Sequence, residues 1–224
     1  MSGRWPSRPT LAYAAPFAAY VALMALGSAL DWSPQLTVPL RFLIVAGLLV
    51  WLSRPYFSLR ASHAWASAGL GIAVFLIWIA PDLLFGYRHH WIFENAITGA
   101  AATSLAPSLR HNVLFLICRA ASAVLLVPIV EELFWRGWLM RWLVRDDFLN
   151  VPLGTFSAVP FCLVAILFAS EHGPYWEVGL AAGIAYNWWM VRTRNLADCI
   201  VAHAITNACL SAYVLIGGQW QYWL

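Results

Sequence analysis

Lysine is absent from the sequence, and charged residues of both signs fill only 10% of its 224 positions, whereas a soluble domain has about 25%. The apolar fraction is 62% and the mean hydropathy is +0.71, so a water-soluble globule of this size could not bury its apolar surface. A disordered chain is excluded too, because it would need few apolar residues and many charges. The composition therefore indicates a polytopic integral membrane protein.

Cysteine is scarce, with four residues that all fall in apolar stretches. They are expected to be small buried side chains, and they exclude a disulfide-stapled secreted scaffold. The 13 basic residues are all arginine and are scattered, so a net charge of +3 predicts no nucleic-acid partner.

Apolar runs separated by charge and proline predict an all-α transmembrane bundle of about seven to eight helices, at roughly 20 residues per span. We predict one integral membrane domain over 1–224, with N-terminal spans in about 1–110 and motif-bearing spans in about 111–217. Segment 86–110 is predicted to be interfacial or a short re-entrant element. The predicted runs are 11–29, 36–52, 64–85, 112–128 with a second piece to 144, 153–170, 176–191 and 196–216.

Arginines alternate between the two sides of successive spans, and an excess of arginine marks cytoplasmic loops. Only Arg88 and Arg110 fall in the predicted outer loop. This asymmetry predicts a cytoplasmic N-terminus, an outer C-terminus and a site that opens toward the cytoplasmic side of a bacterial inner membrane. The arginines assigned to the cytoplasm are Arg4, Arg8, Arg54, Arg60, Arg141, Arg145, Arg192 and Arg194.

Charge inside a membrane is costly, so polar residues within apolar runs indicate function or pairing. Glu131 and Glu132 follow an apolar run, and Glu132 and Arg136 lie four residues apart, where a helix allows them to pair. Glu131 then points about 100° away from that pair. The alternative is an amphipathic interfacial helix with solvated charges.

Two further clusters contain histidine. Phe168 and His172 lie one turn apart at the end of a predicted helix, where a histidine is more often a satisfied cap residue than a catalytic one. His203 and Asn207 share one face of the last predicted helix, where hydrogen bonding between helices is the alternative to catalysis.

Glutamate and neutral histidine can take a proton from water, and histidine or asparagine can donate to an oxyanion. The same histidines and Glu131 could instead ligate zinc around a bound water. The sequence has no His-Glu-x-x-His or Gly-x-Ser-x-Gly motif, which excludes the helix of zincins and the nucleophile elbow of serine hydrolases.

In order and spacing, these clusters resemble the CAAX protease and bacteriocin-processing (Abi) family of intramembrane endopeptidases. The family pattern of Glu-Glu-x-x-x-Arg, Phe-x-x-x-His and His-x-x-x-Asn is complete here. The arginine-only, tryptophan-rich chain also resembles the subset of this family associated with exosortases. The matching positions are Glu131, Glu132, Arg136, Phe168, His172, His203 and Asn207.

The resemblance implies that Glu131 and His172 activate water, that His203 and Asn207 stabilise the oxyanion, and that Glu132 and Arg136 hold the motif helix. It leaves open a metal-free glutamate hydrolase or a metalloprotease with zinc on Glu131, His172 and His203. The expected substrate is a membrane-embedded or lipidated protein segment, cut in CAAX-type or sorting-related processing. The alternatives are a non-proteolytic scaffold or immunity or sorting accessory protein, and a transporter with proton-relay residues, which would favour inverted repeats that the sequence lacks.

Overall fold

The computed structural model describes residues 7–103 and 105–223, so Arg4, used above for the orientation, lies outside the described residues. Within these residues the chain forms seven helices and no β-strand. The helices are α1 (Arg8–Ala29), α2 (Pro34–Tyr56), α3 (Ala64–Phe85), α4 (Val113–Trp142), α5 (Ala158–Ser170), α6 (Trp176–Thr193) and α7 (Leu196–Gly217).

Five of these helices, α1, α2, α3, α4 and α7, are long and apolar enough to cross a membrane. Helix α5 is apolar but has only 13 residues, which reach about 20 Å at 1.5 Å per residue. The all-α bundle confirms the predicted fold class, and the protein is an integral membrane protein.

Several predicted boundaries differ from the structure. The fourth predicted run and the piece after Pro128 form one continuous helix, α4, and α2 runs on to Tyr56. Helix α5 begins at Ala158 rather than 153, because Gly154 adopts a left-handed φ of +75° in the preceding turn. Segment 86–112 contains turns and one short 3-10 helix, Pro107–His111, and among its described residues there is no re-entrant helix.

Helices α3 and α7 pack with their backbones in close contact. Gly71 faces the Ala202 carbonyl, and a Cβ at position 71 would overlap with that oxygen. Small residues allow membrane helices to approach in this way. The hydroxyl of Thr206 donates to the Gly71 carbonyl at 2.8 Å and fixes the register of α7 next to the residues of the third motif.

The bundle has two distinct ends. At the arginine-rich end, which carries Arg8, Arg54, Arg60, Arg145, Arg192 and Arg194, the Tyr13 hydroxyl donates to the Tyr56 carbonyl at 2.9 Å. At the opposite Arg88 end, the Arg88 guanidinium lies 2.7 Å from Asp82 of α3 and 2.6 Å from Glu177 of α6. Tyr222 also donates to Asp82, at 3.0 Å, so the segment after α7 folds over this end.

Candidate active site

A π turn at Ser122–Leu126 widens α4 just before the two glutamates. Backbone hydrogen bonds reach five residues back in such a turn, so the Ala123 carbonyl faces residue 128. That residue is Pro128, which has no N–H to donate. The Asn207 side chain of α7 donates to the Ala123 carbonyl at 2.8 Å instead, so an irregular stretch of α4 holds the last residue of the third motif in place.

Glu132 and Arg136 form an ion pair that is wholly buried, with Arg136 Nη1 3.0 Å from Glu132 Oε1. The guanidinium also donates from Nε to the Asn187 side chain of α6 at 2.8 Å. The Phe168 ring of α5 lies 4.7 Å from the guanidinium carbon. One arginine thus joins α4, α5 and α6, and its contact with Glu132 is the one that the one-turn spacing predicts.

His203 lies between the two glutamates. Its Nδ1 is 3.0 Å from Glu132 Oε1 and, because an ionised carboxylate only accepts, this nitrogen donates. Its Nε2 faces Glu131 Oε2 at 4.0 Å. The Tyr186 ring stacks on the imidazole at 5.1 Å, so the ring has one orientation with Nε2 directed toward Glu131.

His172 is held just beyond the end of α5. Its Nδ1 donates to the Phe168 carbonyl at 2.8 Å, which leaves Nε2 available. The ring packs against the edge of Trp78 at 5.1 Å and against the Cα of Gly179, where a Cβ would be only 3.1 Å from the imidazole. His172 lies outside the spanning helices, and burial lowers its pKa to about 4, so the imidazole is neutral at pH 7.

The four residues predicted to be catalytic line one cavity of about 260 Å³ inside the bundle. Among these four residues, the carboxylate oxygen Oε2 of Glu131 is buried without a hydrogen-bond partner. The structure therefore brings Glu131, His172, His203 and Asn207 together, although they come from α4, α7 and the turn after α5.

The cavity extends toward the Arg88 end. Tyr175, Tyr222 and Trp223 line it on that side, and Glu171 is its exposed lining residue. Toward the arginine-rich end, the wholly buried side chains of Arg136 and Asn187 fill the bundle. We predicted that the site opens at the arginine-rich end, and the side chains that lie between the cavity and that end are buried.

The predicted zinc ligands do not form a ligand cluster. Within the part of the chain that the structure describes, no group of three or more histidine, cysteine, aspartate or glutamate side chains is arranged to hold a metal ion. His203 uses one ring nitrogen on Glu132, and His172 uses one on a backbone carbonyl. Glu131, His172 and His203 as placed do not fit a zinc site.

Several residues of the site had not been predicted. Asn187 orients Arg136, Tyr186 stacks on His203, and Trp78 packs on His172. Asn187 could have been identified from the sequence, because it is a polar residue in a mostly apolar helix. Tyr186 and Trp78 could not have been identified in this way, because the sequence contains 14 tryptophans and 8 tyrosines.

Comparison with known proteins gives one match. The family model described as type II CAAX prenyl endopeptidase Rce1-like matches residues 112–209, which contain all three motifs. No curated protein and no solved structure matches the chain. The motif-bearing segment 112–209 is thus similar to the Rce1-like type II CAAX prenyl endopeptidases.

Proposed function

We propose that this protein is an intramembrane endopeptidase in which Glu131 is the general base that activates water. The supporting observation is the buried, unpartnered Oε2 of Glu131 in a cavity shared with His172, His203 and Asn207. A buried polar atom without a partner costs about 1–3 kcal/mol, so its presence indicates a functional requirement.

In the proposed reaction, water donates one proton to Glu131 while its oxygen attacks the peptide carbonyl carbon. The Nε2 of His172 accepts a hydrogen bond from the same water and orients it. The resulting oxyanion accepts hydrogen bonds from protonated His203 Nε2 and from the second Nδ2–H of Asn207, since the first is donated to Ala123. Glu131 then passes its proton to the leaving amine as the C–N bond breaks, which returns the carboxylate to its starting state.

Glu132 and Arg136 serve as positioning residues in this scheme. Glu132 accepts from His203 Nδ1 and so directs Nε2 toward the cavity, and its negative charge stabilises the imidazolium. Arg136 in turn holds the Glu132 carboxylate in place. The substrate class that suits a cavity within apolar helices is a membrane-embedded or lipid-anchored segment.

The test compares new protein N-termini in membranes from cells that express the wild type or Glu131→Gln. We expect a set of cleavage products that the Glu131→Gln variant abolishes at equal membrane accumulation. The matched control is Asp31→Asn, an exposed carboxylate between α1 and α2 and outside the cavity, which should leave the products unchanged. Products that persist in Glu131→Gln would contradict the proposal and favour a non-proteolytic role.

A further inference from the structure

The two ends of the bundle differ strongly in exposed positive charge. Six arginines are exposed at the arginine-rich end, namely Arg8, Arg54, Arg60, Arg145, Arg192 and Arg194. At the Arg88 end, Arg88 is only 5% exposed and is neutralised by two carboxylates, and Arg110 is half-buried. Arginine in short loops is retained on the cytoplasmic side of a membrane. The arginine-rich end therefore faces the cytoplasm.

The catalytic cavity is closed toward that same end. His203 is seven residues from the start of α7, or about 10 Å along the helix. Glu132, Arg136 and Asn187 are wholly buried in a layer between the cavity and the arginine-rich end. Below them, Asp198 is also wholly buried and accepts from the His63 backbone N–H at 2.8 Å. Among the residues that the structure describes, none that lines the cavity belongs to a loop of the arginine-rich end.

The opposite side of the cavity reaches the surface of the bundle. Its lining there consists of Tyr175, Tyr222 and Trp223, together with the exposed Glu171. These three aromatic side chains are buried, so the cavity reaches the surface at Glu171. Helix α5 ends at the same depth as these lining residues. The turn that follows it therefore lies within the membrane leaflet of the Arg88 end.

We infer that the cavity opens on the exoplasmic side of the membrane, so that the substrate is a peptide segment presented at the exoplasmic leaflet or surface. The inference rests on the proposed function in taking a peptide to be the ligand of the cavity. The substrate class is thus a membrane-anchored protein whose cleaved segment has crossed the membrane before it is cut. A cytoplasmic lipidated tail does not reach this opening, because the buried Arg136 layer lies in its path.

The test is cysteine accessibility in a full-length chain whose native Cys118, Cys162, Cys199 and Cys209 are replaced by alanine. A small, charged, membrane-impermeant thiol reagent is applied to intact cells and, separately, to permeabilised cells. The probes are Leu210→Cys in the cavity lining, Ser108→Cys in the exposed loop of the Arg88 end, and Asp146→Cys at the arginine-rich end. Leu43→Cys, 67% exposed on the outer face of α2, is the control for a lipid-facing position.

We expect Ser108→Cys and Leu210→Cys to react in intact cells, Asp146→Cys to react only after permeabilisation, and Leu43→Cys to react in neither. Reaction of Asp146→Cys in intact cells would overturn the assigned orientation. A Leu210→Cys variant that reacts only after permeabilisation, or not at all, would overturn the exoplasmic opening. Labelling needs no proteolysis, so these results stand apart from the test of Glu131.

Discussion

Replacing Arg136 by methionine tests whether the buried ion pair is structural. The change removes the 3.0 Å pair with Glu132 and the hydrogen bond to Asn187, and leaves a carboxylate uncompensated where its exposed fraction is zero. Loss of one partner of a buried pair costs about 3–5 kcal/mol in soluble proteins. For a chain of this size each kcal/mol corresponds to about 2–4 °C, so the melting temperature should fall by roughly 6–20 °C.

The assay is thermal unfolding of the purified protein in detergent, with Arg145→Met as the matched control because Arg145 is exposed just beyond the same helix. Adding Glu132→Gln to Arg136→Met removes the uncompensated charge and should recover part of the loss. The reasoning would be refuted if Arg136→Met and Arg145→Met melted within about 2 °C of each other, which corresponds to less than about 1 kcal/mol.

Three further predictions concern the site, the Arg88 end and the helix interface. Asn207→Ala should lower kcat by about 10²–10³ through loss of an oxyanion donor, measured by single-turnover cleavage; an effect on KM alone would contradict that role. Arg88→Met should lower the melting temperature without changing kcat, and a loss of kcat at full stability would place Arg88 in the reaction. Gly71→Ala should destabilise the protein because its Cβ meets the Ala202 carbonyl, whereas Gly69→Ala, with nothing within 4 Å, should not; equal melting temperatures would contradict the close contact.

Removing divalent metal ions tests the proposed chemistry in a different way. Dialysis against a chelator should leave kcat unchanged, because the proposed base and oxyanion donors are side chains. Metal content is measured on the same sample. Loss of activity that zinc restores would contradict the proposed mechanism and favour the metalloprotease alternative.

Hydropathy predicted the helices well but their ends poorly. The apolar runs predicted α3 and the last helix within a residue or two, because long spans in a membrane are decided by composition. Proline at 128 was predicted to bend or divide the fourth span. In the structure a π turn and a donor from α7 accommodate the proline, so α4 stays continuous. This accommodation depends on a residue 79 positions away in the sequence, which no local pattern could indicate.

The motif residues were predictable because their spacing of four places them on one helix face. Their partners were not, since Asn187 and Trp78 come from helices without a motif and contact the site only through packing. The side on which the cavity opens does not follow from the motifs for a related reason. Arginine placement orients the chain, but the opening depends on which end of the bundle the buried side chains fill.

The hydrogen bonds of the described residues leave Glu131 Oε2 buried without a hydrogen-bond partner, which suits the base proposed above. Two donors close to Glu131 are committed to other groups: Arg136 donates to Glu132 and Asn187, and His203 Nδ1 donates to Glu132. Asn207 donates to a backbone carbonyl of α4 in the same way. Each commitment also fixes the orientation of the donor, and the remaining ring nitrogen of His203, Nε2, faces Glu131 Oε2 at 4.0 Å. A Glu-Glu pair suits this arrangement because the second carboxylate binds the arginine and the histidine, and the first then remains available for water.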